Sequence, residues 1–165
     1  MKRFIQLIAA FAATLMMAAV AVPANAQKPS APTAAAKAKI GGEQPHRLVI
    51  QVATNDAAAM NLALNNAANV DQYYSARGEP VEIEIITFGP GLHMLREDTS
   101  PVKDRVKSMA ESRPSVTFKA CGNTQENMAK AENKKIPLVS QATVVKSGVV
   151  RVMELQEQGW SYVRP

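Results

Sequence analysis

Arg47-Leu-Val-Ile-Gln-Val-Ala-Thr-Asn-Asp56 runs directly into Ala57-Ala-Ala-Met-Asn-Leu-Ala-Leu-Asn-Asn-Ala-Ala-Asn-Val-Asp-Gln-Tyr-Tyr-Ser-Ala76, and the change of pattern between the two decides the fold. Arg47 to Ala53 is a short apolar run rich in β-branched residues, fit for a buried strand. Thr54, Asn55 or Asp56 can cap a following helix by accepting a hydrogen bond from its free N–H groups. From residue 57 the apolar side chains recur at helical spacing. Met60, Leu64 and Ala67 share one face with Ala68 beside them, and the alanines allow close packing on a sheet. Gly78 and Pro80 end that helix.

The same alternation continues outward. Val81 to Phe88 predicts a second strand, and Gly89-Pro90-Gly91 a sharp loop. Ser100 and Pro101 open a helix with proline at its first position, and Val102, Val106, Met109 and Ala110 form its apolar face. Pro114 breaks it. Ser115 to Ala120 predicts a third strand. Residues 124–135 read as a largely exposed helix that Pro137 stops. Thr143 to Val145 predicts a fourth strand, Ser147 caps a helix through Gln158, Gly159 suits its C′ position, and Trp160 to Val163 predicts a fifth strand. Regular β/α alternation points to an α/β fold, a three-layer α/β/α sandwich on a mainly parallel five-stranded sheet. The loops at the carboxyl ends of the strands are then the expected site. They hold Asn55 and Asp56, Gly89 to His93, and Cys121 to Thr124.

Cys121 is the only cysteine, in Val116-Thr-Phe-Lys-Ala-Cys-Gly-Asn-Thr124. It has no partner for an internal disulfide, which leaves a packed residue, a reactive thiol, or half of an intermolecular bridge. A helix N-terminus lowers a thiol pKa through its free N–H groups and dipole. Gly122 lets the backbone turn closely, Asn123 can cap the helix or donate to the sulfur, and Thr124 can donate through its hydroxyl. His93 is a candidate thiolate partner, set against a plain surface histidine. Gly89 and Gly91 either cradle an anion through their N–H groups or simply make a tight turn. Ligand-binding candidates are therefore Gly89, Gly91, Asn55, Asn123 and Thr124.

Other chemistries lack their residues. Two histidines, His46 and His93, with one cysteine give no metal-ligand spacing. No G-x-G-x-x-G or Walker sequence occurs, so no cofactor is expected. No nucleophile-elbow pattern accompanies the serines. Glu82 and Glu84 alternate along a strand, as on a solvated face or a subunit contact. Glu97 and Asp98 suit the electrostatics of a helix start near Ser100. Trp160 and Tyr162 suit the anchoring of the last strand or an oligomer interface.

Lys2 and Arg3, the apolar stretch from Phe4 to about Val22, and the small residues of Pro23-Ala-Asn-Ala26 predict a signal peptide over residues 1–26, cleaved before Gln27. A retained membrane anchor is the competing reading, and the Ala-rich stretch ending in an A-x-A site favours cleavage. No cysteine follows the cleavage site to carry a lipid. The expected location is the periplasm, with no stable membrane anchor after cleavage. Residues 27–44, rich in Ala, Pro, Lys and Gly, predict a flexible tether, and residues 45–165 one domain. The chain carries a net charge of +5. Without the signal peptide it is +3, and without the tether +1, with 14 basic against 13 acidic residues. The basic balance therefore belongs to the leader and tether. With few aromatics and scattered cations, nucleic acid is not an expected partner.

Four stretches together resemble the DsrE/DsrF-like family, particularly its exported single-domain members. They are Leu62 to Val70, Phe88-Gly-Pro-Gly-Leu92, Val116 to Thr124, and the tail from Ser147 to Pro165. The resemblance spans residues 46–165. It implies a Rossmann-like α/β fold, homo-oligomers (trimers or hexamers), and a cysteine after the third strand that carries sulfur as a persulfide in the sulfur-oxidising relatives. Cys121 stands at that position. The implied role is a sulfur carrier or binding protein more than a turnover enzyme, with a sulfur donor or acceptor protein as its partner. The alternative is a small-ligand binding module or structural oligomer in which Cys121 only packs.

Overall fold

A computed structural model describes residues 44–165. The expected signal peptide and all but the last residue of the expected tether lie outside the described residues. The elements in chain order are β1 (His46–Val52), α1 (Ala57–Ser75), β2 (Val81–Thr87), a 3-10 segment (Gly89–Leu95), α2 (Lys103–Ser112), β3 (Val116–Cys121), α3 (Gly122–Glu132), β4 (Ala142–Val145), α4 (Gly148–Glu157) and β5 (Ser161–Val163). The strands form one sheet in the order β4-β3-β2-β1-β5, parallel at every pairing. This is the α/β fold the alternation predicts. Among the described residues no helix is long and apolar enough to cross a membrane.

The two faces of the sheet are unequal. Ile50, Ile83, Ile85 and Phe118 point to one face, where they pack with Met60 and Leu64 of α1, Val106 of α2 and Leu92, Met94 and Leu95 of the 3-10 segment. The other face carries a smaller cluster, Val49 and Ile86 against Val152 and Leu155 of α4. Because β4 and β5 are the two edges, α4 must cross the whole sheet between them, and it packs on β3, β2 and β1. Glu84 shows the consequence. The sequence placed it on a solvated face or subunit contact, but it is 8% exposed and paired with Arg151 of α4. The guanidinium donates through Nε at 3.0 Å and NH2 at 2.7 Å, a two-point pairing that suits a half-covered carboxylate.

Three further local readings shift. Asp56, rather than Thr54 or Asn55, caps α1, accepting from the Ala58 N–H at 2.9 Å. Helix α2 begins at Lys103, because Ser100 instead closes a turn: its hydroxyl donates to the Met94 carbonyl and accepts from Val102 N–H. Ser147 stands at the N-cap of α4 without a side-chain cap bond.

The loop after β2 is the larger surprise. The 3-10 segment buries Gly91, Leu92, Met94 and Leu95. Arg96 anchors its end, 1% exposed, pairing with Asp98 and with Glu132 of α3. The two carboxylates converge on the guanidinium, which holds Glu132 down to about 2. At the segment's start, an added Cβ on Gly91 would lie 2.1 Å from the Val52 carbonyl oxygen, a backbone atom that has no room to yield. Gly91→Ala should therefore lower stability by about 3 kcal/mol or more. Urea unfolding checks this: the midpoint falls while the m-value stays constant.

Candidate functional site

Strand alternation sets where the thiol points. Val116, Phe118 and Ala120 belong to the large cluster, so Thr117, Lys119 and Cys121 face α4. Cys121 is also the last residue of β3 and the N-cap residue of α3, which starts at Gly122, two residues earlier than the sequence suggested. It pairs in register with Val145 of β4. Three residues on, Gly148 opens α4 against it. A Cβ at Gly148 would lie 2.9 Å from Phe88 Cδ1 and 3.2 Å from Cys121 Cβ, so only glycine lets the start of α4 approach this closely. Two helix N-termini, from α3 and α4, thus meet at one sulfur.

The electrostatics follow from that meeting. Burial pushes the Cys121 thiol up, since the residue is 4% exposed. Opposing it are the Thr124 hydroxyl and the backbone N–H groups of Gly148, Thr124 and Asn123. Together they prevail and hold the thiol below its ordinary value. No cation and no histidine is among these groups. The thiolate is stabilised by oriented dipoles, which need no proton transfer and carry no charge of their own.

Thr124 links this thiol to the loop after β2. Its Oγ accepts from the Gly89 N–H at 3.0 Å. The Gly91 N–H donates to the Phe88 carbonyl at 3.1 Å. Neither glycine N–H is therefore free to cradle an anion, and the tight-turn reading describes both. Gly89, at φ 52°, makes the turn, and Gly91 allows the close approach to β1. Asn123 does not cap α3, since Cys121 occupies that position; its N–H donates to the Lys146 carbonyl at 3.1 Å and ties α3 to the β4–α4 connection, so among the groups around the sulfur it contributes least.

His93 and Asn55 stand apart from the sulfur. His93 Nδ1 lies 2.7 Å from the Thr99 hydroxyl. It shares an open depression of about 410 Å³ with Gly89, Thr124 and Met128, beside α3 and away from α4. Asn55 is exposed beside the Asp56 cap. The strand ends thus bring Gly89, Thr124 and Cys121 together, while His93 only shares the depression that Gly89 and Thr124 line.

Sequence reading missed the cleft beside the thiol. About 650 Å³ in volume, it is lined by Lys119, Asn123, Lys146, Ser147, Arg151 and Glu154, with Val145 and Val150. Lys119 follows the same alternation as Cys121, two residues away or about 6.6 Å along the strand. That was a legible signal. Lys146 and Arg151 join it only through the sheet order and the path of α4. Among the described residues, no cluster of three or more His, Cys, Asp or Glu suits a metal ion.

No family model matches the chain, and no curated protein matches it. A solved structure does: a protein of unknown function, MTH1491, from Methanobacterium thermoautotrophicum. The two are 30% identical and superpose with a TM-score of 0.60, over 73% of this chain and 99% of that one.

The dipole account of the thiol yields a direct prediction. Thr124→Val removes the hydroxyl that faces the sulfur, so the Cys121 midpoint should rise, read from thiolate absorbance against pH. The sign for stability follows. A depressed thiol pKa stabilises the folded state at pH above the unfolded value, and this is lost as pH falls through the folded value. The variant should keep less of that alkaline gain, and it should also lose about 1 kcal/mol at any pH from the unpaired Gly89 N–H.

Proposed function

The chain belongs to the same family as MTH1491, and we propose that it handles sulfane sulfur, with Cys121 as the persulfide-carrying thiol. The observation that carries this reading is the depressed thiol at the meeting of two helix N-termini. Sulfur transfer needs a thiolate, because the thiolate is the attacking form. Its electron pair forms a bond to the outer sulfur of a donor R–S–SH. The donor S–S bond breaks, and its pair leaves with R–S⁻. Cys121 becomes Cys121–S–SH. An acceptor thiolate then attacks that outer sulfur and restores the Cys121 thiolate. No net oxidant or reductant is consumed. The N–H groups and hydroxyl that favour the thiolate also favour its return as the leaving group.

The proposal keeps the setting implied by the DsrE-like resemblance: an exported protein working as a homo-oligomer in the periplasm. Val149 and Met153 of α4 and Val144 of edge strand β4 expose apolar surface, which supports self-association. His93, paired with Thr99, and Asn55 stand outside the transfer step.

The burial of Cys121 favours a second reading, a ligand-binding or structural module in which the thiol only packs. One experiment separates them. The folded domain is incubated with a polysulfide donor, and its intact mass is recorded beside Cys121→Ser. A reductant-reversible gain of sulfur, absent from the variant, is the expected result. No gain, with the thiol reacting only after unfolding, would establish the packing role.

A further inference from the structure

The cleft beside Cys121 is built for more than a bare sulfur atom. Its volume of about 650 Å³ falls within the roughly 300–1,000 Å³ usual for organic-ligand sites. Among the described residues, the ammonium groups of Lys119 and Lys146 have no ion-pair or side-chain hydrogen-bond partner, whereas Arg151 is committed to Glu84 through two hydrogen bonds. Two uncommitted cations therefore line the cleft. Glu154, 3.8 Å from Arg151, is the single acid in the lining, and Val145 and Val150 supply apolar wall. Lys119 shares the strand and the face of Cys121. Asn123, whose N–H is among those acting on the thiol, lines the cleft, as does Ser147, which precedes Gly148.

We infer that this cleft binds the persulfide of a small carboxylate-bearing thiol as sulfur donor, its carboxylates on Lys119 and Lys146 and its sulfur end toward Cys121. This deepens the sulfur-acceptor reading and rests on it for the transfer step. The stem of the donor packs on Val145 and Val150, and Glu154 takes an ammonium group when the donor carries one. Transfer runs as above: the Cys121 thiolate bonds to the outer sulfur, the donor S–S bond breaks, and the donor departs as its own thiolate. The lysines act by holding the donor and by steering anions to the cleft, not by touching the reacting sulfurs, so they are positioning residues.

Binding and transfer are tested separately. S-Methylglutathione carries the carboxylates but no transferable sulfur. Calorimetry should show it binding wild type and Cys121→Ser alike, and binding the double variant Lys119→Gln/Lys146→Gln about tenfold more weakly or worse. Lys119→Arg/Lys146→Arg should retain binding, and added salt should weaken it. The lysine changes lie on exposed or half-exposed side chains, and circular dichroism confirms the folded state of every variant, including Cys121→Ser at its buried position. Absence of binding to wild type, or equal binding by the Gln variant, overturns the inference. Sulfur loading is then followed by mass with glutathione persulfide and with cysteamine persulfide, whose amine is cationic. Faster loading from glutathione persulfide, lost in the Gln variant, supports the inference. Equal loading from both donors, indifferent to the lysines, overturns it and leaves the acceptor role intact. Lysine-dependent binding of S-methylglutathione with no loading from either donor upholds the cleft as the ligand site and refutes the acceptor role.

Discussion

The close approach of Gly148 to Cys121 is the constraint on which the site depends. It exists because α4 has to travel from one edge of the sheet to the other, and it begins that path beside the end of β3. With no Cβ at position 148, the first turn of α4 settles against Phe88 and Cys121, and its N–H joins those of α3 around the sulfur. A side chain there would push α4 away from the sheet. It would weaken both the thiolate environment and the small cluster of Val49, Ile86, Val152 and Leu155 on which that face relies. Packing and chemistry on this face are one arrangement.

The opposite face holds the frame still. Gly91 fits under the end of β1, Thr124 receives the Gly89 N–H, and Arg96 joins the end of the 3-10 segment to α3 through Glu132. These ties fix the start of α3 relative to β2, and so fix the direction of the N–H groups that meet the thiol. Removing either acid would leave the buried Arg96 guanidinium with only one carboxylate to satisfy it. The site is thus held from both sides of the sheet, by close approach on one and by an ion pair and a hydroxyl on the other.

How much of this the sequence disclosed follows the range of the interactions. The strand and helix alternation was legible because the period of apolar residues changes from Leu48–Val52 to Met60–Ala67, a local signal. The position of Cys121 at a strand end was legible for the same reason. The 3-10 segment was not, because Leu92, Met94 and Leu95 show too short a run for any period to emerge. Glu84 was misplaced because its partner, Arg151, lies 67 residues away. Thr124 was legible as a donor beside the thiol, whereas His93 is not among the groups that act on it, and the Gly148 N–H, brought in by the path of α4, has no local signature. The lysine cleft depends on strand order, and no local pattern specifies that order.

The central claim is that two converging helix starts and the Thr124 hydroxyl lower the pKa of a buried thiol. The most direct measurement is the rate of Cys121 alkylation by a small neutral reagent against pH, on folded wild-type protein. The account predicts a single rise with a midpoint below that of free cysteine, at rates faster than global unfolding. A midpoint at or above that of free cysteine, or reaction no faster than unfolding, would contradict it.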